Sequence, residues 1–222
     1  MGQVVTIDGP AASGKTSVSR ELAHRLGWSW VSTGAFYRGL GFAALSTGTV
    51  LDDENSLAKL ATSEQWRVDM TSDKTRVFLG NKDVTEQILQ EHVGSIASKI
   101  SHFPKVREAL LVAQRDCAHK SKGLVAEGRD CGTVVFPEAL VKFYLTARQE
   151  DRAERRAKDL GLSVEETVKA QVQRDQQDSS RKAAPMKVPE NAMVVDTTEL
   201  NFQQVVDLVE QHVRKNLQKK KN

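Results

Sequence analysis

The sequence predicts an α/β fold in which helices cover both faces of a five-stranded parallel sheet, with a small antiparallel β insert and a short helical lid. Three observations predict it. Short apolar runs alternate with helical runs along most of the 222 residues, as in parallel sheets covered by helices. A glycine-rich segment between the first strand and the first helix fits a phosphate-binding turn. Between residues 66 and 85 the apolar residues recur with period two, which indicates an inserted antiparallel sheet.

The glycine-rich segment Gly9–Thr16 follows the apolar run Val4–Ile7 and precedes a helical run from Ser17 to Leu26. It matches G-x-x-x-x-G-K-[ST], in which glycines let successive amide N–H groups surround a polyphosphate. The following helix adds the positive end of its dipole. The motif predicts the P-loop NTPase fold, with the lysine at outer phosphates and the Thr16 hydroxyl on Mg²⁺. The predicted phosphate-binding residues are Gly9, Pro10, Ala11, Ala12, Ser13, Gly14, Lys15, Thr16 and Ser17.

Four further strand patterns follow the first helix, at Trp28–Val31, Leu124–Ala126, Val141–Leu145 and Ala192–Asp196. Helical runs separate them, at residues 35–45, 53–61, 90–101, 103–118 and 163–178. Ligands of open parallel sheets bind beyond the carboxyl ends of the strands. Polar residues at those ends therefore mark the predicted site, namely Asp8, Ser32, Thr33, Glu127 to Asp130, Thr146 and Asp196.

The insert and the last helix have simple local signals. Apolar residues at 68, 70, 77 and 79 alternate with polar ones around turns at 71–74 and 80–82, which predicts a hairpin or a three-stranded sheet. The last helix begins after Asn201, a capping residue with Gln204 three positions later. Its predicted buried side begins at Phe202 and continues through Val205.

Composition narrows the class of protein. Lys and Arg number 32 against 29 Asp and Glu, a near balance that does not suggest a nucleic-acid-binding surface. No apolar run approaches the length that spans a membrane, and there is no export signal. Two cysteines, Cys117 and Cys131, have no metal-binding spacing and indicate reduced thiols. We therefore expect one cytoplasmic domain over residues 1–222, with neither nucleic acid nor membrane as a partner.

Arginines are placed where a phosphate would need them. Arg38, Arg107, Arg129 and Arg181 fall near strand ends or on helices that face them. Guanidinium groups suit bidentate phosphate contacts, although a single arginine of this kind is as often a solvated surface residue. A second set recurs at helical spacing, at Arg148, Arg152, Arg155 and Arg156. That helix is either a lid over a nucleotide or an ordinary charged helix paired with Glu150, Asp151 and Glu154.

Five segments together resemble the bacterial cytidylate kinases, which belong to the nucleoside monophosphate kinases. They are residues 9–17, 32–38 (STGAFYR), 103–107 (FPKVR), 128–137 (GRDCGTVVFP) and 174–181 (RDQQDSSR). The resemblance covers nearly the whole chain, and the last two segments are far more specific than the phosphate loop. It implies Mg²⁺-assisted phosphoryl transfer from ATP to CMP or dCMP in a cytoplasmic monomer. It also implies a CMP-binding region around residues 34–101 and a lid around residues 148–162.

The resemblance also implies roles for particular residues. The catalytic set is Lys15, Arg129, Asp130 and Arg181, and Arg155 of the lid joins the loop residues as an ATP contact. The loop motif, rather than the resemblance, assigns Thr16 to the metal; the family frequently has Gly at this position, so Ser17 stays open as the alternative. The CMP-binding set is Thr33, Tyr37, Arg38, Ser98, Arg107, Arg129, Asp130, Arg174, Asp178 and Arg181.

The base is read, in this interpretation, by Arg174, Asp178 and Arg181, which on a helix would line one face. A carboxylate suits the N4 amino group of cytosine, and a guanidinium suits its acceptors. On spacing alone, an exposed Arg174–Asp178 salt bridge explains two of these residues equally well. Two functional alternatives also stay open: a nucleoside monophosphate kinase for UMP or AMP, and a P-loop ATPase or GTPase switch. The chain has no Asp-x-x-Gly motif to support the switch.

Overall fold

The computed structural model describes residues 2–71, 73–161 and 163–219. Numbered along the chain, its strands are β1 Gln3–Asp8, β2 Ser29–Ser32, β3 Trp66–Met70, β4 Thr75–Leu79, β5 Lys82–Asp83, β6 Gly123–Gly128, β7 Val141–Thr146 and β8 Met193–Asp196. Five of them form a sheet in the order β2-β6-β1-β7-β8. All neighbours in this sheet are parallel. The predicted fold class is confirmed.

Helices cover both faces of this sheet. They are α1 Lys15–Leu26, α2 Gly34–Thr47, α3 Glu54–Ala61, α4 Thr85–Ile88, α5 Glu91–Ile100, α6 Pro104–His119, α7 Gln149–Leu160, α8 Val164–Ser180 and α9 Phe202–Lys219, with a π-helical turn at Cys131–Val135. Within the described residues, none of these helices combines the length and the apolar character that crossing a membrane requires.

The two faces of the sheet belong to two separate apolar cores. Along β1, Val4 packs with α2, α3 and α6, whereas Val5 and Ile7 pack with α1 and α9. Side chains alternate in the same way along β6, where Val125 lies on the face opposite to its neighbours. Burial on both faces explains why these strands are continuous apolar runs in the sequence.

The register of the central strands places their carboxyl ends side by side. Asp8 at the end of β1 pairs with Gly128 of β6 and with Tyr144 of β7. The strand β6 is longer than its apolar run, because it includes Glu127 and Gly128. The first residues of the Gly-Arg-Asp segment therefore belong to the sheet, and Arg129 is the first residue beyond its edge.

The insert is a three-stranded antiparallel sheet in the order β3-β4-β5. Trp66 of β3 is buried, and its indole N–H donates to the Leu60 carbonyl at 3.0 Å. On α2, Gly39 lies so close to the insert that a Cβ there would sit 2.9 Å from side-chain atoms of Trp66 and Val77. The insert therefore packs tightly on α2, which also contributes residues to the predicted acceptor region.

The last helix begins with the predicted capping box. The Gln204 N–H donates to the Asn201 side-chain oxygen at 3.0 Å, and the Asn201 N–H donates to the Gln204 side-chain oxygen at 2.9 Å. The prediction that Phe202 is buried is wrong, because its side chain is 49% exposed. Phe202 is the first residue of α9, and the buried face of the helix begins one turn later, at Val205.

We expect Phe143→Ala to lower the free energy of unfolding by about 3–5 kcal/mol, since it leaves a cavity in a packed core. Phe143 of β7 is fully buried and meets the His212 ring edge-on, with the ring centroids 5.6 Å apart. Urea denaturation measures the change. The matched control is Phe202→Ala at an exposed position, for which we expect less than about 0.5 kcal/mol. Equal losses in the two variants would contradict the assigned core.

Candidate active site

The phosphate loop joins β1 to α1 through a backbone that requires glycine. Gly9 has φ of 148°, and a Cβ there would lie 2.0 Å from the carbonyl oxygen of Leu145 in β7. Gly14 has φ of 85° and caps the N-terminus of α1. Both angles lie in the region that L side chains rarely adopt. The loop consequently passes directly over the ends of β1 and β7, with the N-terminus of α1 aimed at it.

Lys15 extends back along the loop. Its Nζ donates to the Pro10 carbonyl at 2.6 Å. Burial, and after it the nearby positive charge of Arg129, lower the pKa of Lys15 to about 7. Desolvation disfavours the charged amine here, so an anionic ligand close to Lys15 would stabilise the ammonium form.

The Gly-Arg-Asp segment is held to the end of β1 by a buried carboxylate. Asp8 is fully buried and accepts the Cys131 N–H at 2.8 Å and the Gly132 N–H at 2.7 Å. Burial raises the pKa of Asp8 to about 6, although the two backbone donors favour its ionised form. These bonds satisfy the first amides of the π-helical turn and thereby fix the position of the two preceding residues.

Arg129 connects the phosphate loop to α8. Its Nη1 donates to the Gly9 carbonyl at 2.5 Å, and its Nε forms an ion pair with Asp178 Oδ2 at 2.8 Å. One guanidinium therefore contacts the turn that begins the phosphate loop and a carboxylate of the cleft described next.

A cleft of about 140 Å³ opens beside the phosphate loop. Nine of the ten predicted CMP-binding residues line it: Thr33, Tyr37, Arg38, Ser98, Arg129, Asp130, Arg174, Asp178 and Arg181. The tenth, Arg107, lies behind this wall and forms a buried ion pair with Asp130. The structure thus brings together residues from α2, α5, α8 and the end of β6.

The cleft concentrates desolvated positive charge. Burial, followed by the neighbouring charge of Arg174, lowers the pKa of Arg38 to about 10. Burial also lowers the pKa values of Arg174 and Arg181. The Arg38 Nη1 donates to the Ile88 carbonyl at 2.7 Å, which directs this side chain along the wall of the cleft.

The base-reading set differs from the prediction in one respect. Arg174 and Asp178 lie on α8, but Arg181 follows the last helical residue and has an extended backbone, with φ of −55° and ψ of 131°. The prediction that all three share a helix face is therefore wrong for Arg181. Its side chain nonetheless lines the cleft, where Nε donates to the Asp178 carbonyl at 3.2 Å and Nη1 lies 3.4 Å from the Ser101 hydroxyl.

Arg174 and Asp178 do not form the exposed salt bridge that their spacing also allowed, because each pairs with another residue. Arg174 pairs with Glu91 of α5. Asp178 is only 7% exposed and pairs with Arg129 at 2.8 Å and with Arg181 at 4.0 Å. Asp178 is thus a buried carboxylate between two arginines, aimed into the cleft.

The predicted lid contains α7, and its last residue, Leu162, lies outside the described residues. Arg155 donates to the Thr197 carbonyl at 2.8 Å and to the Thr197 hydroxyl at 3.1 Å, just beyond β8. Arg152 instead contacts the phosphate loop, since its Nη1 donates to the Ala11 carbonyl at 2.8 Å. Spacing alone placed several arginines on this helix but did not reveal which one reaches the loop.

Sequence reasoning missed three residues around the site. Ser101 lines the cleft beside Ser98. Glu91 holds Arg174, and Asp175 accepts a hydrogen bond from the phosphate loop at 2.9 Å. Serines recur every three residues at Ser95, Ser98 and Ser101, along α5 and just after it, and this spacing was a usable signal for Ser101. The partners of Glu91 and Asp175 lie 83 and 164 residues away in sequence, and no local pattern indicates such contacts.

Thr16 is the loop residue whose hydroxyl bonds to an acidic side chain, with its Oγ1 3.2 Å from Glu127 Oε1. Within the described residues, no group of three or more His, Cys, Asp or Glu side chains is arranged to hold a metal ion. The Thr16 hydroxyl and the Glu127 carboxylate suit Mg²⁺, because this ion is commonly held by a few protein oxygens together with water and nucleotide phosphates.

Comparison with known proteins identifies the family. The family model described as "Cytidylate kinase" matches residues 5–215. The chain belongs to the cytidylate kinase family. Among its relatives, a cytidylate kinase of Bdellovibrio bacteriovorus is 64% identical over 96% of this chain and 99% of its own length. One from Aeromonas salmonicida is 42% identical over 94% of this chain and 93% of its own. The resemblance noted in the sequence is confirmed.

Solved structures agree on the fold. A gluconokinase from Sinorhizobium meliloti 1021 matches with a TM-score of 0.51 and 15% identity, covering 100% of this chain and 98% of its own. An uncharacterised protein from Eubacterium ventriosum matches with a TM-score of 0.56 and 8% identity, covering 96% and 98%. At these identities the similarity concerns the fold alone.

Stability should depend on pH through Asp8. Its pKa rises from 3.8 in the unfolded chain to about 6 in the folded one, so between these values the folded state binds more protons. Unfolding free energy therefore falls as the pH rises through this window, by about 3 kcal/mol in total. Asp8→Asn cannot titrate and should lack this fall. Urea denaturation of both proteins between pH 4 and 7 measures it, and a wild-type-minus-variant difference that is constant with pH would contradict the expectation.

Proposed function

We propose that this chain transfers the γ-phosphoryl group of ATP to CMP and dCMP, forming ADP with CDP or dCDP. Family membership supports the reaction, and one structural observation carries it. Arg129 contacts the phosphate loop through Gly9 and the buried carboxylate Asp178 in the adjacent cleft. A donor on the loop and an acceptor in the cleft would therefore meet at this guanidinium, which suits charge dispersed over a transferred phosphoryl group.

The donor side is the phosphate loop. Its amides and the N-terminus of α1 would bind the polyphosphate of ATP, and Lys15 would turn from the Pro10 carbonyl to the outer phosphates. Thr16 would hold Mg²⁺, and its bond to Glu127 favours it over Ser17. The ion would neutralise charge on the phosphates. Arg155 stays a proposed ATP contact, and the position of Arg152 on the loop makes it a second candidate.

The acceptor side is the cleft. Arg38, Arg129 and Arg181 would bind the phosphate of CMP, since all three line the cleft and burial lowers the pKa values of Arg38 and Arg181. Asp130 and Arg107 form the buried pair behind this wall. Asp130 would keep Arg107 in place, and Arg107 adds positive charge close to the acceptor. Thr33 and Tyr37 complete the lining on the α2 side.

The base would be read by Asp178 together with Arg174, Arg181 and Ser98. Cytosine presents an N4 amino donor beside the N3 and O2 acceptors, which match a carboxylate and a guanidinium. Uracil would place its O4 acceptor against the Asp178 carboxylate. Because Asp178 is buried, this mismatch leaves polar groups without partners and is costly. The geometry thus favours cytosine over uracil.

Phosphoryl transfer of this kind needs positioning and charge, and no covalent intermediate on the protein. The cations around the cleft supply the charge. Residues 148–162, which contain α7, would exclude water as a lid, and residues 34–101 would form the acceptor region of one domain. We further propose that the enzyme acts as a monomer in the cytoplasm on small nucleotides, with neither nucleic acid nor membrane as a partner.

An acceptor panel tests the function. With ATP and Mg²⁺ fixed, we expect ADP formation to require CMP or dCMP and to be far slower with UMP and AMP. Hydrolysis of ATP at the same rate with and without an acceptor would instead favour a switch-type ATPase.

Lys15→Ala should lower kcat with CMP by about 10²–10³-fold, because charge on the transferred group loses its compensation, while circular dichroism shows an unchanged fold. A Lys15→Ala variant as active as wild type would show that the loop is not the donor site.

Asp178 should determine the choice of base. We expect Asp178→Ala to lower kcat/KM with CMP far more than with UMP. The discrimination should shrink by about tenfold or more, as when a buried polar partner is lost. Asp178→Asn keeps the size of the side chain and adds an amide donor for uracil O4, so it should move the preference further towards UMP. Steady-state kinetics with both acceptors measures the ratio. If both variants retain the wild-type ratio, Asp178 does not read the base.

A further inference from the structure

Asp175 of α8 lies against the phosphate loop. Its Oδ1 accepts the Ala11 N–H at 2.9 Å, and its Oδ2 accepts from Arg152 Nη1 at 2.6 Å. Asp178 follows three residues later on the same helix and points into the cleft. One turn of α8 therefore contacts both the loop and the cleft, through two different carboxylates.

The contact is an organised one. Arg152 also donates to the Ala11 carbonyl at 2.8 Å, so this ion pair binds both the N–H and the C=O of one loop residue. The Asp175 and Arg152 side chains are 17% and 10% exposed, which limits screening by water. Gln171 Nε2 donates to the Arg152 carbonyl at 3.1 Å and so ties α7 to α8.

The arrangement has the chemistry of a phosphate contact. Amides of a phosphate loop bind anionic oxygens, and an arginine completes such sites with parallel N–H donors. At Ala11 the anionic oxygen belongs to Asp175, and the guanidinium belongs to Arg152. A single backbone N–H at this position cannot serve a carboxylate and a phosphate oxygen at once.

We propose that Asp175 is an internal anion that competes with the donor polyphosphate for the Ala11 N–H and for Arg152, and thereby sets the affinity for ATP. The proposal rests on the proposed function for the identity of the donor. Binding of ATP displaces the carboxylate and releases Arg152 towards the phosphates. The negative charge of Asp175 also repels a polyphosphate directly, so both effects weaken binding.

Replacement of Asp175 has a definite expected direction. Asp175→Ala removes the competitor and its charge, and it leaves Arg152 available to the ligand. We expect the affinity for a donor nucleotide to rise about tenfold, the equivalent of one charge-assisted contact that no longer has to be broken. Asp175→Asn keeps the shape and one acceptor oxygen but loses the charge, so its affinity should rise by a smaller factor.

The experiment is a calorimetric titration of the full chain with the β,γ-imido analogue of ATP and Mg²⁺. The matched control is Glu165→Ala, which removes one exposed carboxylate from the same helix and should leave the dissociation constant within about twofold. Circular dichroism checks the fold, and Asp175→Asn carries the test if the alanine variant is unstable. Unchanged or weaker binding in the Asp175 variants, or an equal gain in Glu165→Ala, would overturn the proposal. A wild-type chain that binds CMP but not the analogue would overturn the proposed donor instead.

Discussion

The rest of this structure depends on one constraint: the cations around the phosphate loop and the cleft are partly desolvated, so each needs an acceptor. Burial lowers the pKa of Lys15 to about 7 and of Arg38 to about 10. Desolvated cations are costly unless they meet acceptors. The chain supplies these as carboxylates and backbone carbonyls: Asp130 for Arg107, Asp178 for Arg129, Asp175 for Arg152, Glu91 for Arg174 and the Pro10 carbonyl for Lys15. Nucleotide phosphates offer the same cations stronger partners.

The parallel sheet makes this concentration possible. Because β6, β1 and β7 end side by side, the phosphate loop and the Gly-Arg-Asp segment leave the same edge. Asp8 then binds the amides of Cys131 and Gly132, which joins the two loops without placing a cation between them. Close approach at Gly9 lets the phosphate loop lie flat on the end of β7. The backbone thus fixes the point at which Arg129 leaves the edge of the sheet.

How much of the fold and of the site could be predicted depends on how far apart in sequence the interacting residues lie. The phosphate loop, the alternating strands and the capping box at Asn201 depend on neighbouring residues, so sequence patterns revealed them. The contact of Asp175 with Ala11 joins residues 164 positions apart, and it depends on how α8 packs over the loop. Helical spacing likewise predicted that Arg181 lies on one face of α8, but the helix ends at Ser180, one residue earlier. Phe202 fits the apolar periodicity of α9, but it is the first residue of the helix and its side chain is half exposed.

The shared guanidinium of Arg129 has a consequence for selectivity. Its Nη1 contacts the Gly9 carbonyl and its Nε contacts Asp178, so the proposed base-reading carboxylate also orients an arginine of the phosphate site. A wrong base that disturbs Asp178 would therefore weaken both recognition of the base and the charge around the moving phosphoryl group. Discrimination would then act on the transition state as well as on binding, which is the arrangement that raises selectivity in kcat/KM. In the proposed function, recognition of the base and stabilisation of the phosphoryl group would both act through the Arg129 side chain.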